Sequence, residues 1–178
     1  MNTTTDPFST LPYRPWKASH RSLSEQLAGF GIIGLSCLAF AFLGGYLFQL
    51  REQWYLALHH APWSIPVSWH SPLETLVHLS LTLSFWTLWR RHSLRTLKLE
   101  LSLFLGLFLL ESTWTLSLFG IQQTLLALIA LLLWMVDAMA LSALCWKKEK
   151  TAGQLLLPVL LWLFYLVSVN MVLCIANP

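Results

Sequence analysis

The stretch LSLFLGLFLLESTWTLSLF, residues 101–119, is apolar over a length that crosses a membrane, and it holds one acid, Glu111. A span needs about 20 such residues. A carboxyl at bilayer depth is costly, so it faces a protein interior or a wet cavity and marks a functional site by default. Glu74, His78 and Asn170 fall at compatible depths on other apolar runs. The reading is an all-α integral membrane bundle with a polar, proton-capable pocket.

Composition agrees. Of 178 residues, 56% are hydrophobic and 11% charged, with mean hydropathy +0.62. A soluble domain carries roughly 25% charge. Lipid is therefore the expected surroundings, and no nucleic acid partner is expected. Ten Trp residues exceed what an interfacial belt explains. Residues 1–26 are polar, broken by Pro7, Pro12 and Pro15, and lack the apolar core of a signal peptide. They are expected to form a disordered cytoplasmic tail ahead of a membrane domain over 27–178. Cys37, Cys145 and Cys174 show no metal-ligand spacing and are read as packing residues.

Five segments are long and apolar enough to span: Leu27–Leu50, Pro72–Trp89, Leu99–Phe119, Thr124–Trp146 and Gln154–Ile175. Ser22-Leu-Ser-Glu25 predicts a capping box before the first. Pro72 and Pro158 lie near the starts of spans two and five, where a missing N–H costs little. The short Gly120–Gln123 connection makes spans three and four antiparallel neighbours. An odd number of spans puts ten of the eleven Lys and Arg residues on one face, leaving only Arg51 opposite. By the positive-inside rule the N-terminus is cytoplasmic and the C-terminus outside. The expected location is a bacterial inner membrane.

The outer loop, Arg51 to Ser71, carries Trp54, Tyr55, Trp63 and Trp69 with Pro62 and Pro66. An interfacial belt and a lid over a pocket both fit it. From the rise per residue, His78, Glu111 and Asn170 lie roughly 9, 12 and 8 Å below the outer ends of their spans. They share a level if the helices face one another, with Trp114 one turn above Glu111. Asp137 lies deeper. His70, Glu74 and His78 recur every four residues and so stack on one helical face. That ladder suits proton relay or a polar ligand group; the plainer reading is an interfacial His70 and Glu74 with a locally bonded His78. A metal site lacks recognised spacing. Glu111 serves either as a structural hydrogen bond or, as the neutral acid, as a proton donor. His59 and His60 read as solvated. Ser102-x-x-x-Gly106 would allow close helix pairing or a homodimer through span three.

The loop motif Trp54-Tyr55-Leu-Ala-Leu58-His-His-Ala-Pro-Trp63-Ser-Ile-Pro66 is followed by Pro72-Leu-Glu74-Thr-Leu-Val-His78. Later come Glu111-x-x-Trp114, Leu118-Phe119-Gly120, and Leu155-Leu156-Leu157-Pro158-Val159-x-x-Trp162 with Asn170. In order and spacing these resemble the TspO family, the translocator or tryptophan-rich sensory proteins, from about Leu27 to Pro178. The resemblance implies a five-helix bundle, often dimeric, with a pocket under the first loop. It also implies a flat hydrophobic ligand: a tetrapyrrole such as porphyrin or haem, or a sterol. Trp54, Trp63, Trp114 and Asn170 would form or support that pocket. The chain departs from the family where a Trp and a Tyr of helix two become Glu74 and His78. It departs again where an Asn of helix three becomes Glu111, the loop Lys-Pro becomes His60-Ala61 and an Asp of helix four becomes Ala130.

Two readings follow. One is a binding or transport protein with a tetrapyrrole, sterol or isoprenoid ligand contacted by Trp54, Trp63, His70, Glu74, His78, Glu111, Trp114 and Asn170. The other is a membrane acid–base enzyme, an isomerase or cyclase of isoprenoid or sterol-like lipids, with Glu111 as proton donor and Glu74 or His78 as acceptor. A purely structural subunit dimerising through span three is a third.

Overall fold

In the computed structural model α1 opens on the capping box that the sequence predicts. The Ser22 N–H donates to Glu25 Oε2 at 2.8 Å, and the Glu25 N–H donates to Ser22 Oγ at 3.3 Å. The structure describes residues 22–177. The tail expected over 1–26, with Arg14, Lys17 and Arg21, lies outside the described residues apart from 22–26, where α1 already begins.

The elements are α1 (Leu23–Leu56), a 3-10 turn (Val67–Trp69), α2 (His70–Arg91) and α3 (Lys98–Thr115), which ends in a π turn (Leu116–Gly120). Then come α4 (Thr124–Lys148), α5 (Lys150–Leu155) and α6 (Leu157–Ala176). α1 packs on α2, α2 on α5 and α6, α6 on α4, α4 on α3, and α3 returns to α1. The ring encloses leucines such as Leu88, Leu107, Leu131, Leu141 and Leu163. Its outside is equally apolar: Leu35, Phe42, Leu109, Leu161 and Phe164 are all exposed. Such a surface is solvated by lipid, and helices satisfy their backbone there internally. Among the described residues four helical segments are long and apolar enough to cross a membrane: α1, α3 with its π turn, α4, and α5 with α6; α2, which holds the expected second span Pro72–Trp89, is not one of them.

α2 completes the five-helix bundle, and it is the least apolar because it sits inside. Nine of its residues are buried, among them His78, Ser80, Thr82, Ser84 and Thr87. Its serines answer a specific need. The fifth span is not one helix from Gln154, as the sequence suggests. It begins at Lys150 and breaks at Leu156, because the Pro158 ring displaces the carbonyl four residues back and has no N–H to offer. The Ser84 hydroxyl donates to the Ala152 carbonyl at 2.8 Å, and the Ser80 hydroxyl donates to that of Leu155. Ser80→Ala and Ser84→Ala should each lower stability by about 1–2 kcal/mol, since each leaves a carbonyl at the helix break short of a donor, half-buried at Leu155 and buried at Ala152. Thermal unfolding in detergent reads this; unchanged midpoints would show the hydroxyls to be dispensable.

The α2–α3 and α4–α5 connections meet at one end of the bundle. Lys148 Nζ lies 2.7 Å from Glu100 Oε1, and Arg91 Nη1 lies 2.9 Å from Glu149 Oε2. Glu100 is buried in the first turn of α3, where an acid suits the helix dipole.

Candidate functional site

At the opposite end a cavity of about 330 Å³ opens beneath the α1–α2 loop. α1 contributes Gly44, Phe48 and Tyr55, and α2 contributes His70 and Glu74. α3 and its π turn contribute Trp114, Thr115, Leu118 and Phe119; α6 contributes Leu166, Val169 and Asn170. Sequence reasoning named the contributions of the second, third and fifth spans and missed α1. The available signal was the pair Gly44-Gly45 inside an apolar helix. A Cβ on Gly44 would sit 3.7 Å from Glu74 Oε1 and 3.9 Å from Thr115 Oγ1, so its absence leaves the room between them open. The π turn also contributes: its extra residue per turn carries Leu118 and Phe119 onto the wall, with the Ile121 N–H closing on the Leu116 carbonyl at 2.9 Å.

Two residues of this lining carry buried polar atoms without partners. Asn170 is only 2% exposed, and neither its Oδ1 nor its Nδ2 has a hydrogen-bond partner. Trp114 Nε1 is likewise buried without one. Buried polar groups are nearly always satisfied, so a cluster of orphans beside a void calls for an occupant, water or ligand.

One turn inward, and off the lining, lie His78 and Glu111. Both are buried, with Nε2 3.0 Å from Oε1. This is ion-pair distance, although the angles are not those of a hydrogen bond. His78 Nδ1 lies 2.8 Å from the Glu74 carbonyl oxygen, which can only accept, so Nδ1 carries a proton and donates. Nε2 then faces Oε1 as imidazolium with carboxylate or as imidazole with carboxylic acid. The Thr82 and Thr115 hydroxyls bond the His78 and Glu111 carbonyls, which fixes both backbones.

His70 is the first residue of α2, so its ladder with Glu74 and His78 is continuous, and its ring packs on Trp162 at 5.6 Å. Among the described residues no three His, Cys, Asp or Glu side chains gather as a metal site needs. The loop is fastened over α6. The Ile65 N–H donates to Tyr165 Oη at 3.1 Å, the His59 N–H to Asn177 Oδ1 at 2.9 Å, and Trp63 Nε1 to Ser168 Oγ at 3.3 Å. Trp63 is 57% exposed, and Trp54 packs beside the cluster of Tyr55 and Phe119; neither lines the cavity. Gly106 is used within the chain, since a Cβ there would meet the Asp137 carboxyl at 3.1 Å; Ser102 is exposed.

Residues 33–175 match the TspO/MBR family. The chain belongs to that family. Comparison with curated proteins gave no match. This TspO/MBR protein is thus a multi-pass integral membrane protein, and three of the residues singled out in its sequence lie near one another. Glu74 stands on the cavity wall, and His78 and Glu111 form the pair one turn inward.

Proposed function

We propose that this TspO/MBR protein holds a hydrophobic ligand in the cavity beneath the α1–α2 loop. The candidate classes are a tetrapyrrole such as porphyrin or haem, and a sterol or isoprenoid. The observation that carries this is Asn170, a fully buried amide with no partner, set in a hollow walled by Phe48, Trp114 and Phe119. Apolar walls with a few convergent polar groups are how small-molecule sites are built, and 330 Å³ falls at the small end of their range of roughly 300–1,000 Å³. The N-terminus is cytoplasmic and the C-terminus outside, as supported by the cations gathered on the α2–α3 and α4–α5 connections.

The test is titration of the purified protein in detergent with protoporphyrin IX, haem and a sterol, followed by tryptophan quenching. Saturable binding is expected for at least one. Gly44→Leu, which places its side chain into the space between Glu74 and Thr115, should weaken it by about tenfold or more. The thermal midpoint should hold or rise, since leucine is the better helix former. Binding that survives this substitution would place the ligand elsewhere.

The His78–Glu111 pair supports a second reading, the membrane acid–base enzyme, because it holds a transferable proton one turn from the cavity. Glu111→Gln separates the two. Glutamine can still donate to Nε2 but cannot return a proton, so an isomerase or cyclase loses nearly all turnover while still binding lipid. A binding protein shows only a modest change in affinity.

A further inference from the structure

We infer that the polar end of the ligand is a cation, a protonated amine or quaternary ammonium borne on an apolar ring or chain. The inference rests on the cavity being a ligand site and concerns what that site selects. Three observations meet there. Glu74 presents its carboxyl to the cavity, and among the described residues no Lys, Arg or His nitrogen forms an ion pair with it. The cavity lining contains Glu52 at the mouth and His70, but no Lys or Arg. Asn170, 2% exposed, belongs to the same lining and carries an amide without a hydrogen-bond partner.

The charges behind the wall do not offset this. Glu111 and His78 face each other at 3.0 Å and, as imidazolium with carboxylate or imidazole with carboxylic acid, contribute no net charge. A ligand ending in carboxylate would meet two glutamates and no cation. A neutral end would use the Asn170 amide but give the Glu74 carboxyl no charged partner, and charge-assisted hydrogen bonds are the stronger kind. An ammonium supplies that counter-charge, donates to both Glu74 and Asn170 Oδ1, and lies against aromatic faces that attract cations, Trp114 above all. The apolar remainder lies against Phe48, Leu118 and Phe119.

Naphthylpropylamine, naphthylpropanol and naphthylpropanoic acid share one apolar body and differ in the charge of the end group. Calorimetric titration of each into the full chain in non-ionic detergent near neutral pH tests the inference, with Gly44→Leu as the blank for micelle partitioning. The amine should bind about tenfold tighter than the alcohol, and the acid weakest. Glu74→Gln should bring the amine down to the alcohol's affinity. Alcohol or acid matching the amine, or an amine preference that survives Glu74→Gln, overturns the inference. The ranking on the unaltered protein decides it even if that variant fails to fold. If none of the three binds while protoporphyrin IX does, cation selectivity falls and the ligand site stands. If nothing binds saturably, both fall.

Discussion

His78→Leu should cost the bundle about 3–5 kcal/mol, and Glu111→Leu a similar amount, while the double substitution should recover most of either loss. Each single change leaves one buried polar partner without its mate, His78 and Glu111 being 4% exposed apiece. The survivor must change its protonation or draw water into a packed interior. Removing both replaces two desolvated groups by apolar ones of similar length, a change that is often neutral. The surroundings suit leucine, since Val77, Leu81, Leu107 and Phe108 are buried close by in sequence on the same two helices. Thermal or denaturant unfolding of the four proteins in one detergent gives the cycle. A double variant no better than the singles would show that the pair is held by something other than mutual compensation. Recovery of stability without recovery of function would mark the pair as kept for its proton.

Gly153→Ala should be the most damaging single methyl in the protein. Its Cβ would fall 2.8 Å from Trp146 Cα and 2.9 Å from Trp146 Cβ, where α5 turns back against the end of α4. Backbone cannot step aside as a side-chain tip can, and that corner is tied down. The Glu149 N–H bonds the Cys145 carbonyl at 2.7 Å, and Lys148 reaches Glu100. Alanine's helix preference over glycine returns about 0.5–1 kcal/mol, less than the 1–3 kcal/mol or more that overpacking costs. The net effect is a loss of about 1–2 kcal/mol. Gly31→Ala is the matched contrast. Nothing lies within 4 Å of its Cβ, so only the propensity gain remains and stability should rise slightly. Equal midpoints for the two variants would mean that α5 can shift away from α4.

Much of this architecture is legible in the sequence because membrane helices declare themselves by length. Four of the five spans, the Ser22 capping box and the antiparallel α3–α4 pair follow from local composition; α2 is a helix of the bundle but falls short of a span by apolarity. Counting rise per residue was enough to put His78 and Glu111 on one level, and in the structure they touch at 3.0 Å. What escaped were features set by tertiary fit. A proline near a helix start reads as harmless, yet Pro158 splits α5 from α6 because α2 supplies hydroxyls that make the break affordable. The π turn has no sequence signature. Ser102-x-x-x-Gly106 fits close helix pairing or a homodimer alike, and only the structure shows that Asp137 of α4 in the same chain lies against Gly106. The loop tryptophans were the most conspicuous residues by composition, yet the cavity is walled by helix aromatics with Asn170 at its edge. Periodicity shows which face a residue shares but not how far a loop side chain folds inward.

The hydroxyls of Ser80 and Ser84 have a bearing on biogenesis. Their partners, Ala152 and Leu155, are synthesised about 70 residues later. Until then each serine can bond only back into its own helix, as Thr82 and Thr87 do at 2.8 and 2.7 Å. α2 therefore leaves the translocon as a weakly greasy segment that leans on α1 for retention. It becomes secure only once the C-terminal pair arrives, so a nascent chain stalled before α5 should be the species most exposed to quality-control proteases.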